Sequence, residues 1–246
     1  MSITESRVEY ADAGGKVYES YVAVPKDFVT SGKKHPTVIL IPAFQGIRQH
    51  EEGMTRKLAA LGYVAFALDY FGKDFRNLTV EQAFGIIKPL AADRRGEMKS
   101  RIVLGLEQAK ALPYVDTNKI GVFGYCFGGT AAMDLARYNV GVAAAVSFHG
   151  NFSPLPDVDP VPEAETKPIQ AKVMICHGDA DDHVTIESAV DVMAEFRKRD
   201  TDFQFINYAN AKHGFTDITR EDAYNKLAAE RSWAQSTAFL AEVLLH

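Results

Sequence analysis

The sequence has little of what marks a secreted, membrane-spanning or nucleic-acid-binding protein. It contains only two cysteines in 246 residues, which is too few for a disulfide framework. No apolar run approaches the ~18 residues of a transmembrane helix, and the polar first ten residues lack the apolar core of a signal peptide. Acidic residues outnumber basic ones by 32 to 27, without the basic footprint of nucleic-acid binding. These absences predict a cytoplasmic protein with two free thiols and neither a membrane nor a nucleic-acid partner.

The residues that are present follow the alternation of an α/β protein. Apolar, β-branched runs predict strands, and the amphipathic segments between them predict helices. Because continuous apolar strands separated by helices favour parallel pairing, we predict an α/β fold with a mostly parallel central sheet flanked by helices on both faces. The predicted strands are residues 16–24, 36–41, 63–68, 119–123, 142–148, 172–176 and 203–208, and the predicted helices are residues 50–61, 94–112, 128–138, 184–199 and 220–244.

Two stretches of this pattern need separate interpretation. The first predicted strand, residues 16–24, alternates apolar and polar residues, which predicts an antiparallel edge of the sheet. The segment 151–170 is rich in proline and acidic residues. Since strands resume directly after it, we interpret it as an excursion between strands rather than a linker. We therefore predict one domain over residues 1–246.

A candidate nucleophile lies where one predicted strand passes into a helix. Residues 124–129 read Gly-Tyr-Cys-Phe-Gly-Gly, and a Gly-x-nucleophile-x-Gly turn needs small residues because its centre is strained and crowded. The turn would place Cys126 beside the N-terminus of the next helix, whose dipole and N–H groups favour a thiolate. The alternative is a buried structural cysteine in a glycine-rich turn. We predict Cys126 as the nucleophile and Cys176, inside an apolar strand, as a core thiol.

An acid and a base are expected at the ends of later strands. An acidic loop, residues 177–184, follows the strand 172–176, and His213 follows the strand 203–208. His213 would take the proton of Cys126 or form an ion pair with its thiolate, while a carboxylate would orient the imidazole and stabilise its charged form. The residues alone leave Asp179, Asp181 and Asp182 open as the acid.

The same acidic loop has a second interpretation as a metal site. Its possible ligands are His177, Asp179, Asp181 and His183. We favour the triad, because the loop already has a role in it and no companion cluster of ligands occurs elsewhere in the sequence. We therefore predict no metal.

Transition-state stabilisation requires two N–H donors directed at the developing negative charge. Phe127, directly after the nucleophile, is the expected first donor. We predict that the N–H of Phe44, in the loop after the strand 36–41, is the second, with Ala43 as the competitor. We also expect Ala43, Gln45 and Tyr70 to line the substrate pocket. His149, at another strand end, lines the same pocket or is structural.

Three motifs together make the chain resemble the dienelactone hydrolase family. They are residues 124–129, the spacing Gly178-x-x-Asp181-x-x-Val184, and the run His-Gly-Phe that begins at His213. Supporting patches extend along nearly the whole chain. The resemblance implies a compact α/β-hydrolase fold, a single catalytic domain, no cofactor and a Cys–His–Asp triad that cleaves a small ester or lactone. It also selects Asp181 as the acid, since the family's acid stands three residues after the glycine and three before the apolar residue. We expect a monomer or a homodimer.

One departure from the family pattern concerns the substrate. Dienelactone hydrolases proper carry a glutamate in the loop after the strand 36–41, where it interacts with the resting thiol and takes part in its activation by substrate. The corresponding residue here is Ala43, and the polar Gln45 lies two positions later. The fold and the triad are expected to be retained despite this difference, whereas dienelactone itself is not the expected substrate.

A Gly-x-Cys-x-Gly turn also occurs in proteins with other functions. Glutamine amidotransferases of flavodoxin-like architecture have a glutamate two residues after the histidine, where this chain has Phe215. A non-catalytic member would not need an intact triad. A redox sensor that uses Cys126 as a reactive thiol is the remaining alternative, and it requires reversible oxidation of Cys126 without ester turnover.

Overall fold

The computed structural model describes residues 2–246, and the contacts within it divide the chain into two compact units, Met1–Val122 and Phe123–His246. The first unit contains two strands, a short helix, and then strands and helices in alternation. In chain order these elements are β1 (Ile3–Ala11), β2 (Val17–Pro25), α1 (Lys26–Thr30), β3 (His35–Ile41), α2 (Gln49–Ala60), β4 (Val64–Ala67), α3 (Val80–Ala92), a π-helical turn (Arg94–Met98) and α4 (Lys99–Lys110).

The next strand, β5 (Val115–Tyr125), crosses the boundary between the units. The second unit continues with strands and helices in alternation. These elements are α5 (Phe127–Arg137), β6 (Ala144–Phe148), α6 (Glu163–Thr166), β7 (Lys172–Gly178), α7 (Ser188–Lys198), β8 (Phe203–Tyr208) and α8 (Lys226–Leu244). As predicted, no strand interrupts the proline-rich stretch between β6 and β7.

The eight strands form one sheet in the order β1-β2-β4-β3-β5-β6-β7-β8. Strand β2 pairs antiparallel with β1 and with β4, whereas β3 pairs parallel with β4, and β7 pairs parallel with β6 and with β8. The central strands are buried along most of their length, as their continuous apolar sequences require. This mostly parallel sheet with its helices confirms the predicted α/β fold class.

Strand β1 was not predicted, and its presence corrects the prediction for β2. Strand β2 is antiparallel, but it lies between β1 and β4 and is not the edge. Most residues of β1 are exposed, so the hydrophobic pattern that reveals a strand is weak there. Charged side chains such as Glu5, Arg7 and Glu9 on an outer strand also discourage pairing with other chains.

The helical region before β5 also differs from the prediction. Helix α3 was missed because Gly85 and Pro89 interrupt its pattern, although Pro89 lies inside the helix. A capping box of Thr79 and Gln82 starts this helix and was the available signal. The predicted helix 94–112 is a π-helical turn followed by α4, and the Asp93 carboxylate accepts N–H groups at the start of the turn.

A buried charged network fixes the helix that follows the nucleophile. Arg137, at the end of α5, is fully buried. Its guanidinium bonds to Asp134 at 3.0 Å and to Glu195 of α7 at 2.7 and 2.9 Å, and it also donates to the backbone carbonyls of Phe152 and Ser153. The network therefore ties α5 to α7 and to the start of the proline-rich stretch.

Over residues 2–246, no helix combines the length and the apolar character needed to cross a membrane. That the whole chain forms a single domain remains a prediction.

Candidate active site

The turn between β5 and α5 has the strained geometry that its sequence predicts. Cys126 has φ 53° and ψ −117°, a backbone conformation that is rare for a residue with a side chain. Its N–H donates to the carbonyl of Phe148 at 2.9 Å, and its own carbonyl accepts the N–H of Gly129. A Cβ added to Gly124 would lie 2.0 Å from the carbonyl oxygen of Gly128. Glycine at position 124 is therefore required by the close approach of strand and helix.

The structure brings Cys126, His213 and Asp181 together. The Sγ of Cys126 lies 3.1 Å from Nε2 of His213, and Nδ1 of His213 lies 2.9 Å from Oδ2 of Asp181. The second carboxylate oxygen of Asp181 accepts the backbone N–H groups of His183 and Val184, each at 2.9 Å. Each end of the imidazole is thus engaged, and the carboxylate that holds it is itself fixed by the backbone.

The charges of this constellation favour an imidazolium. Burial of the His213 ring opposes its protonation, but hydrogen bonds to Asp181 and Cys126 and the attraction of their charges outweigh it and raise the pKa of His213 to about 9. For Asp181, burial of the carboxyl alone would raise the pKa. The hydrogen bond and charge of His213 and the two backbone donors prevail, so the pKa of Asp181 is lowered. The pair is therefore poised as carboxylate and imidazolium at neutral pH.

The other carboxylates of the acidic loop lie elsewhere. Asp179 accepts a hydrogen bond from Asn207 at 2.6 Å, and Asp182 is largely exposed. Of these three carboxylates, that of Asp181 is the one bonded to His213, and its role as the acid stays a prediction. In residues 2–246, no three side chains of His, Cys, Asp or Glu are grouped so that they could hold a metal ion.

The residues predicted to bind the oxyanion or line the substrate pocket, other than Phe127 and His149, lie in the first unit. The ring of Phe44 stacks on Phe84 of α3, with 5.3 Å between ring centroids. The amide of Gln45 donates to the Leu78 carbonyl and accepts from Arg48. Tyr70 is fully buried, and its hydroxyl donates to the carbonyl of Pro42 at 3.0 Å, which anchors the start of this loop. The roles of Ala43, Phe44, Gln45 and Tyr70 toward substrate stay predictions.

Two neighbours of His213 were not assigned this place by the sequence. His149 is buried, and its ring centroid lies 5.4 Å from that of His213. Thr216 bonds to Nε2 of His149 at 2.8 Å and was missed altogether. The two residues are separated by 67 positions, and no local sequence pattern reports such a contact.

Comparison with known proteins decides the family. The model of the dienelactone hydrolase family matches residues 18–244. The chain belongs to the dienelactone hydrolase family. It is 36% identical over 160 residues to the uncharacterized protein K02A2.1 of Caenorhabditis elegans, which covers 62% of this chain and 98% of that protein. It is 26% identical over 241 residues to a protein of Aquifex aeolicus (strain VF5) that is provisionally named a carboxymethylenebutenolidase, covering 96% and 98%.

Solved structures agree with this assignment. The dienelactone hydrolase-like promiscuous phosphotriesterase P91 from metagenomic libraries matches with a TM-score of 0.87 and 29% identity over 99% of each chain. A structure named m3DLH matches with a TM-score of 0.87 and 31% identity over 98% of this chain and 99% of that one. The resemblance inferred from the motifs is confirmed. The chain is a carboxylic ester or lactone hydrolase of the dienelactone hydrolase type.

The two thiols of this dienelactone hydrolase family member differ in their surroundings. Cys126 is partly exposed, whereas Cys176 is fully buried in β7. Burial raises the pKa of Cys176 to about 12, against a smaller opposing effect of the Tyr208 hydroxyl. Cys176 is therefore a core thiol that stays protonated at neutral pH, as its place in an apolar strand predicted.

A third histidine of this family member, His177, is buried and makes no side-chain hydrogen bond. Its ring lies between Phe152 and Phe205, with centroid distances of 5.0 and 5.8 Å, and neither ring nitrogen has a hydrogen-bond partner. Burial lowers the pKa of His177, which keeps the ring neutral. A buried polar group with no partner costs about 1–3 kcal/mol of stability.

Replacing His177 by leucine is expected to stabilise the protein. The apolar side chain removes two unpaired nitrogens, and a gain of ~1 kcal/mol would raise the Tm by about 2–4 °C for a chain of this size. Because the pKa of His177 is lower in the folded than in the unfolded state, the unfolded chain binds the extra proton below pH ~6.5. The gain should therefore be larger at pH 5 than at pH 8.

Thermal unfolding followed by circular dichroism at both pH values checks this expectation. His246→Leu is the control, since it makes the same change at an exposed histidine; His183 does not serve, because its ring contacts that of His213 with centroids 5.0 Å apart. A lower Tm for His177→Leu at pH 8 would contradict it and show that the ring nitrogens contribute to stability.

Proposed function

We propose that this chain hydrolyses a small carboxylic ester or lactone through a Cys126–His213–Asp181 triad and an acyl-enzyme intermediate. The observation that carries the proposal is the continuous line of contacts from Cys126 Sγ to His213 Nε2 at 3.1 Å and from His213 Nδ1 to Asp181 Oδ2 at 2.9 Å. A nucleophile, a base within reach of it and a group that orients the base are the parts that covalent catalysis requires.

In the proposed first step, Cys126 Sγ attacks the carbonyl carbon of the ester. The new S–C bond forms as the carbonyl π electrons move onto oxygen, and the tetrahedral intermediate then collapses with loss of the alkoxide. Nε2 of His213 gives its proton to this leaving oxygen, and Asp181 stabilises the imidazolium until then. In a lactone the released alcohol remains attached to the acyl group.

The second step returns the enzyme to its starting state. Nε2 of the now neutral His213 takes a proton from a water molecule, whose oxygen attacks the thioester carbon. The C–S bond breaks, the thiolate of Cys126 leaves, and the carboxylic acid product is released. The regenerated thiolate and imidazolium form the ion pair that the contact of 3.1 Å supports.

The developing oxyanion needs N–H donors in both steps. Phe127 is the first residue of α5, directly after Cys126, and its place at a helix N-terminus supports the predicted role of its N–H. The second predicted donor, the N–H of Phe44, and its competitor Ala43 belong to the loop that follows β3. We retain Phe44 as the proposed second donor because of its position in the sequence.

A panel of short esters and five-membered lactones, assayed with the wild type and Cys126→Ala side by side, tests the proposal. Turnover of at least one compound by the wild type and its loss in the variant are expected. If no ester or lactone is hydrolysed while Cys126 oxidises and is reduced again reversibly, the redox-sensing function is favoured instead.

Substrate preference is expected to differ from that of dienelactone hydrolases proper. The methyl group of Ala43 can neither accept a proton nor repel a thiolate, so Cys126 should be active whether or not substrate is bound. The amide of Gln45 is engaged at both ends by Leu78 and Arg48, which argues against its replacing the missing glutamate. We expect hydrolysis of neutral esters such as 4-nitrophenyl acetate, and poor hydrolysis or none of dienelactone.

Steady-state kinetics on both substrates check this prediction. A kcat/KM for dienelactone ten or more times that for the acetate ester, ~1.4 kcal/mol of transition-state preference, would refute it. Ala43→Glu is the informative variant, because restoring the carboxylate should raise the ratio of dienelactone to acetate activity. Gln45→Glu, two residues later, is its control and should not raise the ratio.

A further inference from the structure

The carboxyl end of β6 holds the backbone of the nucleophile. The carbonyl of Phe148 accepts the N–H of Cys126 at 2.9 Å, and the N–H of the next residue, His149, donates to the carbonyl of Cys176 at 2.8 Å. His149 has φ 42°, a left-handed conformation that costs a residue with a side chain about 1 kcal/mol or more. This strained residue is thus fixed between the strand of the nucleophile and β7.

The side chain of His149 fills the space behind the catalytic base. Its ring is nearly fully buried and meets the ring of His213 edge to face, with centroids 5.4 Å apart and planes at 65°. It meets Phe215 in the same way at 5.3 Å, and lies 6.3 Å from the ring of Tyr125, the residue before Cys126. A single imidazole therefore contacts the ring of the base and that of Phe215, two residues beyond it, and lies near the residue that precedes the nucleophile.

The segment that carries His213 needs such support. Residues 209–225 contain no strand or helix, and their backbone is held by separate turn hydrogen bonds, such as that from Phe215 N–H to the Lys212 carbonyl at 3.2 Å. Asp181 holds the imidazole of His213 at one nitrogen only. Nε2 of His149 bonds to the hydroxyl of Thr216 at 2.8 Å, which ties this segment to the end of β6 three residues beyond the base.

We propose that His149, through its hydrogen bond to Thr216 and its contact with the ring of His213, is a positioning residue that sets the distance between His213 and Cys126. The inference rests on the proposed function, because it assigns His149 a role in the triad's geometry. It adds to the three triad residues a fourth side chain that acts through His213.

The charge state of His149 suits this role. Burial, followed by the nearby His213, lowers the pKa of His149 to about 3, and the opposing attraction of Asp181 does not reverse the shift. Arg220 also faces it and acts in the same direction as His213. At neutral pH the His149 ring is therefore uncharged while His213 is charged, so it supports the imidazolium without repelling it.

The test removes the hydrogen bond and leaves the shape. Thr216→Val deletes the hydroxyl at nearly constant volume, Thr216→Ser retains it, and Thr219→Val is the matched control. Thr219 is exposed, and its hydroxyl bonds to Asp217. For each variant, kcat and KM are measured on 4-nitrophenyl acetate, and the thiolate of Cys126 is titrated by its ultraviolet absorbance in enzyme without substrate.

For Thr216→Val we expect kcat to fall about three- to tenfold, the range of a lost neutral hydrogen bond, with KM unchanged. The thiolate absorbance should appear at a higher pH than in the wild type, because a displaced His213 imidazolium stabilises the thiolate less. Thr216→Ser and Thr219→Val should follow the wild-type titration. His149→Phe should behave like Thr216→Val, and the double variant should lose little more, since both changes remove one interaction.

A Thr216→Val variant with wild-type kcat and titration, or with a change confined to KM, would overturn the proposal. Equal effects of Thr216→Val and Thr219→Val would do so as well, because they would show general loosening of the segment. If His149→Phe fails to fold, the variants of the half-buried Thr216 still test the proposal. Failure of the proposed function is recognised separately, as a wild type that turns over no ester or lactone while its thiolate titration remains measurable.

Discussion

Cys126→Ala is expected to lower kcat for a short ester by ~10⁴-fold or more, the loss that removal of a triad nucleophile produces. The variant keeps the base, the acid and the helix N-terminus but has no atom that can form the acyl-enzyme. Steady-state kinetics with 4-nitrophenyl acetate measure the loss. The matched control is Cys176→Ala, because Cys176 is buried in β7, so its removal should affect stability and leave kcat largely intact.

Chemical labelling tests the same assignment without mutation. Iodoacetamide at neutral pH should modify Cys126 well before Cys176, with activity lost in step. The reason is that Cys126 is partly exposed and 3.1 Å from His213, whereas burial raises the pKa of Cys176 to about 12. Modification of Cys176 alone, accompanied by loss of activity, would overturn the assignment of the nucleophile.

Asp181→Asn is expected to have the second largest effect, a fall in kcat of about 10²–10⁴-fold. The upper value is that of a serine triad whose acid is replaced by its amide, and the lower value allows for a thiol, which needs less help from a base than a hydroxyl does. The amide cannot stabilise the imidazolium and can hold the wrong tautomer. Asp179→Asn and Asp182→Asn are the controls, since neither carboxylate contacts His213. Equal activity of all three variants would show that the acid lies elsewhere.

The pH profile should report the same change. The wild type should lose kcat/KM as the pH rises through about 9, because His213 then gives up the proton that the leaving group needs. The carboxylate of Asp181 is a main cause of this raised pKa, so in Asp181→Asn the alkaline limb should move to lower pH. The free energy of unfolding should also decrease as the pH rises. Charged His213 contributes fully to stability below its ordinary pKa of ~6.5, and this contribution is lost as the pH rises through about 9.

The sequence predicted the parts of the fold that local pattern determines. Strand β8 has the predicted bounds, and the buried strands were recognised because their apolar runs are continuous. Strand β1 was missed because an exposed edge strand is held by backbone pairing to β2, which leaves little hydrophobic signal. Helix α3 was missed because Gly85 and Pro89 lower its propensity, while packing of Ala83, Ile87 and Leu90 overrides that cost.

The candidate site was predictable to the extent that it follows chain order. A Gly-x-Cys-x-Gly turn, then an acidic loop, then a histidine at successive strand ends predicted Cys126 and His213, and the family resemblance selected Asp181 from the three carboxylates of the loop. The environment of these residues was not predictable in this way. That His149 and Thr216 meet behind the base, and that His177 lies between two phenylalanine rings, depends on side chains far apart in sequence.

The location of the triad has a consequence for evolution and engineering. Cys126, Asp181 and His213 all belong to the unit Phe123–His246, whereas the departure at Ala43 belongs to Met1–Val122. A substitution in the first unit, natural or engineered, therefore changes none of the three proposed catalytic side chains. Libraries that randomise residues 42–46 can search for new specificities while every member inherits an unaltered nucleophile, acid and base.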